Sequence, residues 1–147
     1  MASKATYDDA QLILKLYELR REEKMRQARD WFAGKFFPQT MDDLKVVQNF
    51  GSQENAYFRM VTSYWDMVSS FIVQGVLNAE LFIESGGELI FIWAKIEPFL
   101  AQIRQDMGIP SYFANIEKAI EIIPDGKQRL RATQERLKAM AERLKAK

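Results

Sequence analysis

The sequence predicts an all-α fold: a helical bundle of three long core helices, joined by short bridging helices and followed by a C-terminal amphipathic basic helix. Three observations predict it. Apolar residues recur at spacings of three and four through most of the chain, no segment reads as a strand, and glycines 51, 75, 86, 87, 108 and 126 all fall where a helix stops or the chain turns. With 147 residues, 48% of them hydrophobic, the chain can bury one core without cross-links. The expected organisation is a bundle over residues 1–126 and a basic helix over 127–147, packed on that bundle or on another subunit.

The first helix is expected over residues 7–36. Thr6 can cap it, and Asp9 stands three residues on, where a carboxylate meets the positive end of the helix. Leu12, Ile13, Leu16, Tyr17 and Leu19 begin an apolar stripe that Met25, Ala28, Trp31 and Phe32 continue. Between them lies a charged face in which Glu22 and Arg26 have the i,i+4 spacing of a favourable pair. Pro38 ends the helix, because the residue before proline is pushed out of helical geometry.

Thr40 with Asp43 repeats the start signal and Gly51 gives the stop, so residues 41–50 read as a short helix. Ser52 opens the next, over 53–74, with Gly75 as its stop and a broad stripe of Tyr57, Met60, Val61, Tyr64, Trp65, Val68, Phe71 and Ile72. Asn78 caps a short helix over 79–84, which Ser85, Gly86 and Gly87 end. A longer helix over 88–107 keeps its period through Pro98 and is expected to kink there, because proline lacks the amide proton and clashes one turn back. Ser111 is read as the cap of a helix over 112–122, and Pro124-Asp125-Gly126 as the last turn.

Composition excludes whole classes of chemistry. Cysteine is absent, which removes disulfides and thiolate nucleophiles and suits a reducing compartment. Histidine is absent too, and with it the usual near-neutral acid–base group and the commonest metal ligand. A di-iron bundle centre needs Glu-x-x-His motifs that cannot be completed here. Glu80, Glu84 and Glu88 have suggestive spacing, but the Gly-Gly break destroys their phase. No metal, cofactor or catalytic residue is expected, and the protein is read as a non-enzyme. The start, Met1-Ala2-Ser3-Lys4, lacks the apolar core of a signal peptide, and Glu80, Lys95, Glu97 and Pro98 interrupt the most apolar stretches, so the expectation is cytoplasmic.

The last 21 residues differ in kind. They hold eight basic residues against two acidic ones, a net +6, while residues 1–126 carry −5. Leu130, Thr133, Leu137, Met140 and Leu144 alternate at spacings of three and four, a short heptad stripe that calls for a partner helix. The expected interaction surface is therefore Leu130, Leu137, Met140 and Leu144, flanked by Arg129, Arg136 and Arg143. The rival use of this tail is contact with nucleic acid or an anionic membrane, which its lack of aromatics disfavours.

Arg59 and Asp66 lie seven residues apart on nearly one helical face, within an aromatic stripe. The ordinary reading is a structural ion pair across the bundle, with Lys95 or Glu97 as partner. The sharper reading is the polar floor of a pocket lined by Tyr64, Trp65, Asp66 and Trp93, although aromatics at helical spacing are more often plain core.

Two stretches carry a resemblance: Leu12-Ile13-Leu14-Lys15-Leu16-Tyr17-Glu18-Leu19-Arg20-Arg21 running on to Ala28-Arg29-Asp30-Trp31-Phe32, and Tyr64-Trp65-Asp66-Met67 leading through Gly75 to Trp93. They resemble a family of small all-helical bacterial proteins of uncharacterised function, over about residues 7–120, with the basic tail outside. The resemblance implies a bacterial source and a helical fold, and carries over no functional residue.

The function expected from sequence is a non-enzymatic interaction or assembly protein that self-associates, or binds another helical protein, through helix faces. The alternatives are a small-ligand-binding regulatory module with an aromatic pocket, and an adaptor whose basic tail meets nucleic acid or membrane.

Overall fold

The structure, a computed structural model, describes residues 4–146. Met1, Ala2 and Ser3, cited above against a signal peptide, and Lys147, counted in the tail charge, lie outside the described residues. The fold is all-α, with no strand among the described residues.

α1 (Tyr7–Arg20) begins as its sequence dictates. Thr6 Oγ1 accepts the Asp9 amide while Asp9 Oδ2 accepts the Thr6 amide at 2.8 Å. Asp9 does more than cap, because its Oδ1 accepts the Asn78 amide at 2.8 Å and so ties α1 to the start of α5 (Ala79–Ser85). These backbone bonds, from Thr6 first and Asn78 next, hold the Asp9 carboxyl below its ordinary range.

The single helix expected over 7–36 is two helices, α1 and α2 (Glu23–Gly34). Glu22 breaks it by leaving helical geometry at ψ 143° and turning its carboxylate onto the Met25 amide at 3.0 Å, so that it caps α2 instead of pairing with Arg26 along one continuous helix. The opened end of α1 is satisfied from a distance: Arg29 donates to the Arg20 carbonyl at 3.2 Å and is itself clamped by Glu88, with Nη2 to Oε1 at 2.7 Å.

Residues 41–50 are a 3-10 turn, Met41–Leu44, and one α-turn, α3 (Lys45–Gln48), instead of a continuous short helix. α4 (Gln53–Val73) starts on Ser52, whose hydroxyl accepts the Asn55 amide at 3.0 Å. The kink expected at Pro98 takes the form of a 3-10 turn within a continuous helical path. α6 (Glu88–Ile96) gives way to a 3-10 turn, Glu97–Phe99, before α7 (Leu100–Met107), because proline has no amide for the helical ladder.

α8 (Ala114–Ile122) begins two residues later than expected, and Phe113 is its N-cap in place of Ser111. Phe113 stands at φ +64°, a costly region for a non-glycine residue. Its ring is packed edge-on against Phe58 and Trp93, and Arg104 Nε holds the preceding carbonyl, Tyr112 O, at 2.9 Å. α9 (Gly126–Lys145) follows directly. Gly126 is required by close approach: a Cβ there would run into the Ile120 backbone carbonyl.

α4 is the hub, packed against α2 on one side and α8 on the other, with α3 across its start. α6 lies against α9, and α1 rests on α5 and α2 at the edge. The core joins Phe32, Phe58, Trp65, Trp93, Ile96 and Ile116 across these elements. At about 25 cal/mol per Å² of apolar surface, burial of this kind is the dominant stabilising term.

Candidate functional site

The sequence-predicted pocket is not where the cavities are. Trp65 and Trp93 are each 1% exposed and fill the core. Trp65 packs edge-on with Tyr64 and Phe82, and Arg20 lies 5.1 Å above its ring, while Trp93 packs on Phe113. Tyr64 donates its hydroxyl to the Leu16 carbonyl at 2.5 Å, a strut between α4 and α1. Asp66 stands apart from these rings, in an open groove shared with Arg59, Ser63, Ser111 and Tyr112. Aromatic stripes pack inward because large rings bury the most surface, and here nothing is left over to line a hole.

The ion pair expected across the bundle is not formed either. Lys95 meets no carboxylate: its Nζ donates to the Phe32 and Phe36 carbonyls at 2.6 Å each, with Ala33 at 3.4 Å. It thus closes the C-terminal end of α2, whose last carbonyls have no helical partner. Glu97 pairs instead with Arg131 of α9, at 2.9 Å.

Lys95 is the most perturbed titratable group among the described residues. It is 5% exposed, with the ring centroids of Phe37 and Phe91 4.0 and 4.7 Å from Nζ. Burial brings its pKa down to about 7. It borders a cavity of about 270 Å³ walled by Phe37, Pro38, Phe99 and Leu137.

A second and more apolar cavity, of about 330 Å³, lies where α3, α4 and α7 meet. Leu44, Val47, Phe58 and Ile103 form its depth, and Phe50 and Met107 its rim. Phe50 is 81% exposed, an unusual position for a large apolar ring. Asn55 is buried and fixed by donating to the Val47 carbonyl at 2.6 Å. Its Oδ1 in turn accepts from Arg59 Nε at 3.0 Å, and the guanidinium carbon lies 5.3 Å above the Phe50 ring. Tyr112 borders both this cavity and the Asp66 groove, and burial raises its pKa, which keeps the phenol protonated. Sequence reasoning picked out Arg59 but could not see this arrangement, because a cavity is the space left between elements.

In the tail, Leu130 is 2% exposed and Leu137 packs against the core, so both face the chain's own bundle. Arg129 donates to the Pro124 carbonyl and Arg136 to Thr133 Oγ1, each at 3.0 Å. Met140 and Leu144 are exposed, the latter by 58%, and Arg143 is exposed beside them. The predicted surface is thus split, its first half spent within the chain and its second half outward.

Among the described residues no helix is long and apolar enough to cross a membrane, and no cluster of acidic side chains could hold a metal ion. What fold and site define is an α-helical bundle with an apolar cavity under a cationic rim. The chain belongs to the family described as Domain of unknown function (DUF4760), whose model matches residues 5–122, in keeping with the resemblance read over 7–120 and leaving α9 beyond the match. No curated protein and no solved structure matches the chain.

Proposed function

We propose that the protein is a non-enzymatic small-ligand-binding module, and that the cavity between α3, α4 and α7 is its site. The observation that carries this reading is an apolar hollow of about 330 Å³ with a few oriented polar groups at one edge. Small-molecule sites have this composition, and the volume lies at the lower end of their range. Asn55 and Arg59 are held in place by hydrogen bonds before any ligand arrives, which reduces the ordering cost of binding. The lack of cysteine suits the cytoplasm, where we place the protein, and the resemblance supports a bacterial source.

The test is titration with a neutral apolar fluorophore, N-phenyl-1-naphthylamine, of the full chain and of Val47→Phe, which fills the hollow. Saturable one-to-one uptake that disappears in a Val47→Phe variant of unchanged helix content supports the reading. Absence of saturable uptake, or equal uptake by both proteins, sinks it.

A second reading, association with another helical chain or a second copy, is favoured by the exposed apolar side chains of α1. Tyr7, Leu14 and Tyr17 all stand outward there, and Met140 and Leu144 do so on α9. Light scattering on a sizing column decides it: a dimer that becomes monomeric in Leu14→Lys/Tyr17→Lys supports association, and a concentration-independent monomer rejects it.

A further inference from the structure

The geometry points to the ligand class of the α3–α4–α7 cavity: a monocarboxylate, whose apolar tail fills the hollow and whose carboxylate is held by Arg59. This inference rests on the cavity reading above. Its independent observation is the state of Arg59. One nitrogen, Nε, is engaged by Asn55, and the guanidinium carbon lies 5.3 Å from the centroid of the Phe50 ring at the cavity rim. The two terminal nitrogens have no hydrogen-bond partner and no ion pair among the described residues. Their N–H groups form a fork that matches the two oxygens of a carboxylate.

The surrounding charges narrow the choice. Among the described residues Arg59 is the single charged one on the wall of this cavity, which suits one negative charge and leaves a cationic head group repelled. Asp66 borders the adjoining groove, and its Oδ1 is buried without a hydrogen-bond partner, so the field there is hostile to a second negative charge such as that of a phosphate monoester. Tyr112, like Arg59, lines both regions. A neutral ligand of the same shape would leave the guanidinium without its anion, so the acid and its alcohol should bind with different strength.

The experiment compares octanoate with octan-1-ol in amide NMR titrations of the full chain, Arg59→Gln and Arg59→Lys. Arg59 is exposed but its Nε also holds Oδ1 of the buried Asn55, so helix content by circular dichroism is recorded for each variant and must match the native chain. Octanoate should bind the native chain on the order of tenfold more tightly than octanol, the value of one charge-assisted hydrogen-bonded contact. The two should become equal in Arg59→Gln, and Arg59→Lys should fall between. Shifts should centre on Leu44, Val47 and Ile103. The inference is overturned if octanol binds as tightly as octanoate, if Arg59→Gln leaves octanoate unchanged, or if octanoate shifts only the lysines of α9. In the first two cases uptake of octanol leaves the cavity reading standing. If octanol, octanoate and the neutral fluorophore all fail to saturate, the cavity reading itself falls.

Discussion

Lys95 Nζ donates to the Phe32 carbonyl oxygen at 2.6 Å while lying 5.5 Å from the centroid of the same residue's ring, so one phenylalanine contacts the buried cation through both backbone and side chain. The contact joins α6 to the end of α2 and satisfies carbonyls that a helix terminus leaves open. Burial opposes the charge and dominates, bringing the pKa from 10.5 to about 7.

The sign of the pH dependence follows. With a folded pKa lower than the unfolded one, the unfolded chain binds more protons between about pH 7 and 10.5, and stability rises with pH across that window. Below it both states are protonated and the cost of the buried charge is fully present. Urea unfolding at pH 7 and 9.5 should show a gain of roughly 2–3 kcal/mol, and Lys95→Met should remove most of it. A native chain with a flat profile would rule out the burial argument.

The close approach at the start of α9 gives a second expectation. Gly126→Ala places a methyl group against the Ile120 carbonyl, which is backbone and cannot rotate away. The cost should be about 1–3 kcal/mol by urea unfolding, the range for overpacking a tight site. Gly34→Ala, where nothing lies within 4 Å, should be neutral or slightly stabilising.

Trp65 and Trp93 as core residues make a third. Either one changed to alanine should cost about 3–5 kcal/mol, whereas Tyr17→Ala on the outer side of α1 should stay within about 1 kcal/mol. Thermal unfolding by circular dichroism separates the two outcomes. Small, similar losses at all three positions would mean that the tryptophans do not support the bundle.

Docking of α9 within the chain is tested by contrast along one helix. Leu130→Ala should cost about 2–4 kcal/mol and Met140→Ala less than about 0.5 kcal/mol, because the first is enclosed by the bundle and the second is not. Equal effects would show that the two ends of the helix are held alike.

Local chemistry was legible in the sequence. Thr6, Ser52 and Asn78 each accept the amide three residues on, an interaction contained within four residues, and each cap was read correctly. The break at Glu22 was not legible, because the carbonyl it frees is satisfied by Arg29, and Arg29 is held by Glu88 from far along the chain. Phe113 was missed for the same reason: its left-handed backbone is tolerated because Phe58 and Trp93 fix its ring. The candidate site divides likewise. Arg59 and Asp66 stood out as charges within an aromatic stripe, but the hollow beside Arg59 depends on α3 and α7 arriving there, which no spacing in α4 records.

The division of α9 into a docked half and a free half gives it the mechanics of a cantilever. Leu137 packs against the core and Lys138 still lines the cavity beside Lys95, and the seven residues from Ala139 to Lys145 reach on for roughly 10 Å at 1.5 Å per residue. A helix segment of that length has little stability of its own. Its root is clamped by Leu130 and the Glu97–Arg131 pair, so a load at its tip would act with leverage on the turn that joins α6 to α7.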